Sequence, residues 1–82
     1  MFCTYILKSL SNGKYYIGSC DDINERIKKH NSGNVKSTKN FIPWKIVHKE
    51  FFGARGSATK RERQLKSWKS RKALEKLFKE HF

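Results

Sequence analysis

Two β-prone runs open the chain, Cys3-Thr4-Tyr5-Ile6-Leu7 and Lys14-Tyr15-Tyr16-Ile17-Gly18, and an Asn12-Gly13 pair sits between them. Asn-Gly between alternating runs is a strong hairpin signal, because a two-residue type I′ loop needs φ > 0 at both central residues. That loop predicts strands over 2–9 and 14–20, with Ser11 opposite Lys14 and Tyr5 opposite Cys20. Side chains alternate faces along a strand, so Tyr5 and Tyr16 share one face, and Cys3 and Cys20 join them there. The pattern then changes period. Asp22 and Glu25 form a capping-box-like pair ahead of Ile23 and Ile27, which predicts a helix ending near Asn31-Ser32-Gly33-Asn34. Residues 32–43 read as a polar loop, mobile unless an anion holds its lysines. Trp44 to Phe52 reads as a third strand after Pro43, broken by Gly53-Ala54-Arg55-Gly56. Ser57 is the expected cap of a helix to about Lys69. Ser70 is the expected cap of another, with Ala73, Leu74, Leu77 and Phe78 on one stripe. The order β-β-α-β-α-α predicts an α+β domain over residues 1–82, a small three-stranded sheet, antiparallel or mixed, flanked by helices.

Size and charge narrow the class. Eighty-two residues support one small core. No run approaches the roughly 18 apolar residues of a membrane span, and the start lacks a basic-then-apolar leader, so the expectation is a soluble cytoplasmic protein with no membrane partner. The two cysteines lack a CxxC spacing and the histidines lack a zinc-type pairing, which argues against a structural zinc site. Nineteen Lys and Arg against seven Asp and Glu give a net charge of +12, a field that favours a polyanion, with nucleic acid the default partner.

Polar residues also stand where apolar ones belong. Arg26 and His30 lie four apart on a helix face that overlaps the Ile23–Ile27 stripe. Glu62 falls within the stripe Ala58, Glu62, Leu65, Lys69 that should face the sheet. A carboxylate withdrawn from water must be paired, bound to a metal or held at a cleft edge. With two tyrosines on a common face, these are the ingredients of phosphodiester cleavage: a base for water, a cation for the phosphate and a carboxylate for a metal.

At these residues the chain resembles the GIY-YIG nuclease superfamily, and most of all its small stand-alone members related to the N-terminal nuclease domain of the bacterial excinuclease. Tyr16-Ile17-Gly18 keeps the second name-giving motif. Cys3-Thr4-Tyr5 stands where Gly-Ile-Tyr would be, and retains its tyrosine. Arg26 to His30 matches the family's Arg-x₃-His helix, and Ala58 to Glu62 matches the helix with its metal-binding glutamate. The resemblance implies an antiparallel three-stranded sheet and a metal-dependent endonuclease acting on DNA, with structure-dependent cutting and repair or recombination among the family's roles. It implies one divalent cation, Mg²⁺ or Mn²⁺, held by Glu62. Tyr5 is then the general base, His30 the acceptor of its proton, and Arg26 the phosphate grip. Tyr16 orients the attack, and Gly18 has a backbone role beside it. Lys36, Lys39, Lys66 and Lys69 are expected to contact nucleic acid. No sequence reader is attached, so a protein partner would supply specificity. The rival expectation is a catalytically inactive basic nucleic-acid-binding module of the same fold.

Overall fold

The computed structural model describes residues 1–80. Its elements run β1 (Phe2–Ser9), β2 (Tyr15–Cys20), α1 (Ile23–Asn31), a 3₁₀ turn (Lys39–Phe41), β3 (Trp44–Phe52), α2 (Arg55–Ser67) and α3 (Arg71–Glu80). The sheet order is β2-β1-β3, both pairings antiparallel. β1 is central and buried from Cys3 to Leu7, while β2 is an edge.

The sheet separates two apolar layers. On one face Cys3, Tyr5, Leu7, Cys20 and Trp44 pack with Ile23 and Ile27 of α1. On the other, Ile6 packs with Leu65 of α2 and Leu74 of α3, flanked by Tyr15, Ile17 and Val47. Burial of a side chain such as Leu65 contributes about 1.5–3 kcal/mol. Thr4, pointing to the second face, donates from Oγ1 to the Ala58 carbonyl at 2.7 Å and ties β1 to α2. No helix among the described residues is long and apolar enough to cross a membrane.

The hairpin differs from expectation in its loop. Ser9 N donates to Lys14 O at 2.8 Å and Gly13 N to Ser9 O at 2.9 Å, so residues 10–13 form a four-residue loop. Gly13 has φ 77°, but Asn12 does not share the left-handed region, which excludes the type I′ turn. The Ser9 hydroxyl decides the outcome: it accepts from the amides of Ser11 and Asn12, both at 3.2 Å, and donates to the Phe41 carbonyl at 2.7 Å. Tyr5 therefore lies opposite Gly18 rather than Cys20, and Cys3 lies opposite Cys20. The correction is an even register shift, so every side chain keeps its face.

The helix boundaries also move. Asp22 caps α1 as expected, accepting from Glu25 N at 3.2 Å, but the Glu25 carboxylate pairs with Lys28 instead of closing the box. α2 begins at Arg55 behind Ala54, so Ser57 is an interior residue and not the cap. Ser70 does cap α3, with Ala73 N donating to its Oγ at 3.2 Å. The loop of residues 32–43 is held from within by Thr38, whose carbonyl accepts from Trp44 Nε1 at 2.9 Å. Asn31 brackets the start of β3, its side chain accepting from Trp44 N at 2.6 Å and donating to Trp44 O at 3.1 Å.

Candidate active site

Tyr5 reaches across the face of β2 because Gly18 leaves a gap. A Cβ at Gly18 would stand 2.5 Å from Tyr5 Oη and 3.1 Å from Tyr16 Cε1, inside van der Waals contact of both rings. In that gap the Tyr5 hydroxyl meets His30 Nε2 at 3.0 Å, with Tyr5 1 % and His30 0 % exposed. On the far side of the imidazole, Nδ1 lies 2.9 Å from Thr38 Oγ1, which donates its own proton to Val35 O at 3.3 Å. That last bond fixes the rest. Thr38 Oγ1 is left as an acceptor, so Nδ1 carries the proton and Nε2 receives the Tyr5 O–H.

Charge and burial set the poise of this relay. Burial raises the Tyr5 pKa far above the ordinary phenol value; Tyr16, Cys20 and the Glu62 carboxylate add to the rise, and Arg26 opposes it. Burial also lowers the His30 pKa, reinforced by Arg26 and Lys29, so the imidazole is neutral at neutral pH. The Tyr16 ring lies 6.4 Å from Tyr5 and 5.0 Å from His30, and its hydroxyl has no hydrogen-bond partner among the described residues. Arg26 is half-buried and likewise makes no ion pair or side-chain hydrogen bond there.

Glu62 approaches from the other layer, beside the edge strand β2. Its Oε1 accepts from Ser19 Oγ at 2.6 Å and its Oε2 from Lys66 Nζ at 2.6 Å, and its side chain is 19 % exposed. Burial pushes its pKa up, but the bonds from Lys66 and Ser19 and the charges of Lys66 and Arg63 outweigh it, so the carboxyl titrates below its ordinary range and is ionised. It is close enough to Tyr5 to oppose phenol ionisation. Glu62 thus ends at the sheet edge instead of among the buried Ala58–Leu65 stripe residues.

The donor set can be tested against a divalent cation. No group of three or more His, Cys, Asp or Glu converges among the described residues, so they offer no all-protein cage. A single ionised, partly exposed carboxylate suits Mg²⁺ or Mn²⁺, which keep most of their shell for water and phosphate oxygens. The fit requires the Lys66 ammonium to yield its place on Oε2.

Of the other expected residues, Lys36 and Lys39 are exposed on the loop that holds Thr38 to His30, and Lys69 is exposed just past α2. Ser19 and Thr38 belong to the site and carry no sequence signal: each is a small hydroxyl whose role depends on a partner distant in the chain. Cys3 and Cys20 are free and buried, with Cys3 pushed up to about 11, chiefly by burial. Cys3 and Thr4, which replace the first two motif residues, point into the core and at α2, and among the described residues the Tyr5 hydroxyl bonds His30 and neither of them.

This sheet, with a tyrosine pair, an Arg-x₃-His helix and a lone glutamate gathered at one edge strand, is the architecture of a nuclease-type domain. The match to the GIY-YIG catalytic domain extends over residues 1–77, and the chain belongs to that family. Among curated proteins it is similar to the UPF0213 proteins of Staphylococcus aureus strains Mu3 and N315, each 39 % identical over 71 residues that cover 85 % of either chain. Among solved structures it is similar to the solution NMR structure of the UPF0213 protein BH0048 from Bacillus halodurans. That match has a TM-score of 0.57 and 34 % identity, and covers 94 % of this chain and 82 % of the other.

Proposed function

We propose that this chain is a metal-dependent endonuclease that hydrolyses DNA phosphodiester bonds. The observation that carries the reading is the 3.0 Å hydrogen bond from the buried Tyr5 hydroxyl to a neutral His30. A free phenolate is out of reach at neutral pH, since burial holds the Tyr5 proton tightly. A relay needs none. As water attacks phosphorus, Tyr5 Oη takes the water proton and passes its own to His30 Nε2. The resulting imidazolium keeps its Nδ1–H on Thr38. Phosphorus gains the water oxygen and loses a bridging ester oxygen, which takes a proton from solvent water, and the relay resets when His30 returns its proton through Tyr5 to the hydroxide left in the solvent.

The Arg26 guanidinium, unpartnered among the described residues, suits two oxygens of the scissile phosphate. The Tyr16 hydroxyl, without a hydrogen-bond partner among the described residues, orients water or phosphate. Glu62 would hold the cation, and Lys66, displaced from it, would be available to the substrate backbone. A divalent cation held by Glu62 would supply charge stabilisation to the phosphate as it reacts and would offset the Glu62 charge that opposes proton loss from Tyr5.

The inactive binding module has one observation in its favour. Lys66 neutralises Glu62, so the carboxylate need not repel phosphate. One experiment separates the two: plain, nicked, flapped and branched DNAs incubated with Mg²⁺ or Mn²⁺ and wild type, Glu62→Gln or Tyr5→Phe protein. Cleavage by wild type, lost with Glu62→Gln and reduced about 10²-fold or more with Tyr5→Phe, is expected. Binding without cleavage by any of the three proteins would leave only the module.

A further inference from the structure

Lys66 stands one helical turn beyond Glu62 on α2, so the two side chains share a helix face. Both oxygens of Glu62 are taken, by partners of different kinds. Ser19 Oγ, on the edge strand β2, donates to Oε1 at 2.6 Å, and Lys66 Nζ donates to Oε2 at 2.6 Å. Ser19 is a short neutral side chain on a strand, so it aims the carboxylate without changing its charge. Lys66 brings a full charge on a long flexible stem. Its side chain is 54 % exposed against 19 % for Glu62, so the ammonium can turn into solvent while the carboxylate stays where Ser19 holds it. Lys66 also lines a cleft together with Lys69 and Arg71, so an ammonium released from Glu62 joins a cationic surface.

We propose that Lys66 is a built-in competitor for the divalent cation: it occupies Glu62 in the free protein, and a cation binds there only by displacing it toward that cationic surface. The proposal rests on the nuclease reading and adds a regulatory contact to the same site. A divalent cation ligated by Oε2 and an ammonium bonded to the same oxygen would stand a few ångströms apart, where like charges repel. One of them must leave, whereas the neutral Ser19 need not. An ion pair this exposed is weak enough for a divalent cation to break, yet it lowers the affinity of the free protein for the metal. The site therefore takes up its cation sparingly until something else holds the ammonium, and the phosphates of a bound strand are suited to that. A lysine that merely screened Glu62 as part of the fold would stay in place whatever is bound.

The test titrates Mn²⁺ into the free protein at fixed ionic strength and follows the electron paramagnetic resonance signal of the unbound ion. Lys66→Met keeps the length and helix preference of the side chain and deletes its charge. It should bind Mn²⁺ about five-fold more tightly than wild type. Lys60→Met removes an equal charge from an exposed position of α2 that faces away from Glu62, and should change the affinity less than about two-fold. The tighter binding of Lys66→Met should vanish when Glu62→Gln is added. The displacement itself is read with Mg²⁺ through the nitrogen NMR signal of Lys66 Nζ, assigned by its loss in Lys66→Met. That signal should move along the same Mg²⁺ binding curve as the Glu62 side-chain carboxyl carbon, and stay still in Glu62→Gln. Mn²⁺ binding that Lys66→Met leaves unchanged or weakens would overturn the proposal. So would equal tightening by Lys60→Met, no detectable Mn²⁺ binding to either protein, or a Lys66 signal that stays still while the Glu62 signal moves. The two readings fail separately. Wild-type cleavage of DNA with a Mn²⁺ affinity indifferent to Lys66→Met removes the competition and keeps the nuclease. Tightened Mn²⁺ binding and a displaced Lys66 with no cleavage by wild type keep the competition and remove the nuclease.

Discussion

Gly18 is where one added carbon does most damage. Its missing Cβ makes room for the phenol that meets His30, and the nearest atom, Tyr5 Oη, belongs to a buried ring. Gly18→Ala should therefore push Tyr5 away from His30, cost about 1–3 kcal/mol in denaturant unfolding and depress any cleavage sharply. Thr38 supports the same relay from behind. Thr38→Val keeps the shape and leaves Nδ1–H of a fully buried imidazole without an acceptor, so a loss of about 1–3 kcal/mol should appear in the same assay. The pH dependence follows from His30. Its folded pKa lies below the ordinary 6.5, so the unfolded chain binds a proton that the folded chain refuses. This contribution is complete above about pH 6.5 and is lost as pH falls through the depressed folded pKa. Thermal midpoints should fall on acidification below pH 6.5, and His30→Asn should flatten that limb. An unchanged limb in the variant would place the acid sensitivity elsewhere.

Among the elements, the strands are legible because their β-branched and aromatic runs are local signals. β1 and β3 occupy the spans that the sequence pattern predicts. The hairpin loop departs from its pattern for a physical reason. Asn12-Gly13 favours a two-residue turn in isolation, but the Ser9 hydroxyl captures two loop amides and the Phe41 carbonyl, and Phe41 is far along the chain. The common face of the tyrosines survives because the register difference is even. The cap of α2 escapes the sequence because serine normally caps and alanine does not, yet Ala54 has the extended geometry of a cap, φ −131° and ψ 143°, with no side-chain bond. Ala54→Ser should then stabilise the fold by about 0.5–1 kcal/mol in urea unfolding, with cleavage unchanged. Of the site, the tyrosines, Arg26, His30 and Glu62 are visible because they interrupt apolar patterns or match a family motif. Ser19 and Thr38 are not, since only tertiary pairing gives them a task.

Over the molecule as a unit, the +12 charge is spread across a surface on which several acids are already engaged. Glu50 takes Arg61 at 2.9 Å, Glu62 takes Lys66 and Glu75 takes Arg71. The excess of cations is free to meet a polyanion, and affinity for any DNA should fall at least about ten-fold between 50 and 200 mM salt. The helices deliver chemistry from opposite layers to one edge strand: α1 brings Arg26 and His30 across the tyrosine face, and α2 brings Glu62 beside β2. The catalytic reading stands or falls with that convergence. Mn²⁺ titration followed by paramagnetic broadening of assigned NMR resonances reads it out. Broadening is expected to concentrate at Glu62, Ser19, Gly18 and the ring signals of Tyr5 and Tyr16, and to vanish in Glu62→Gln. Broadening centred elsewhere, or persisting undiminished in that variant, would contradict it.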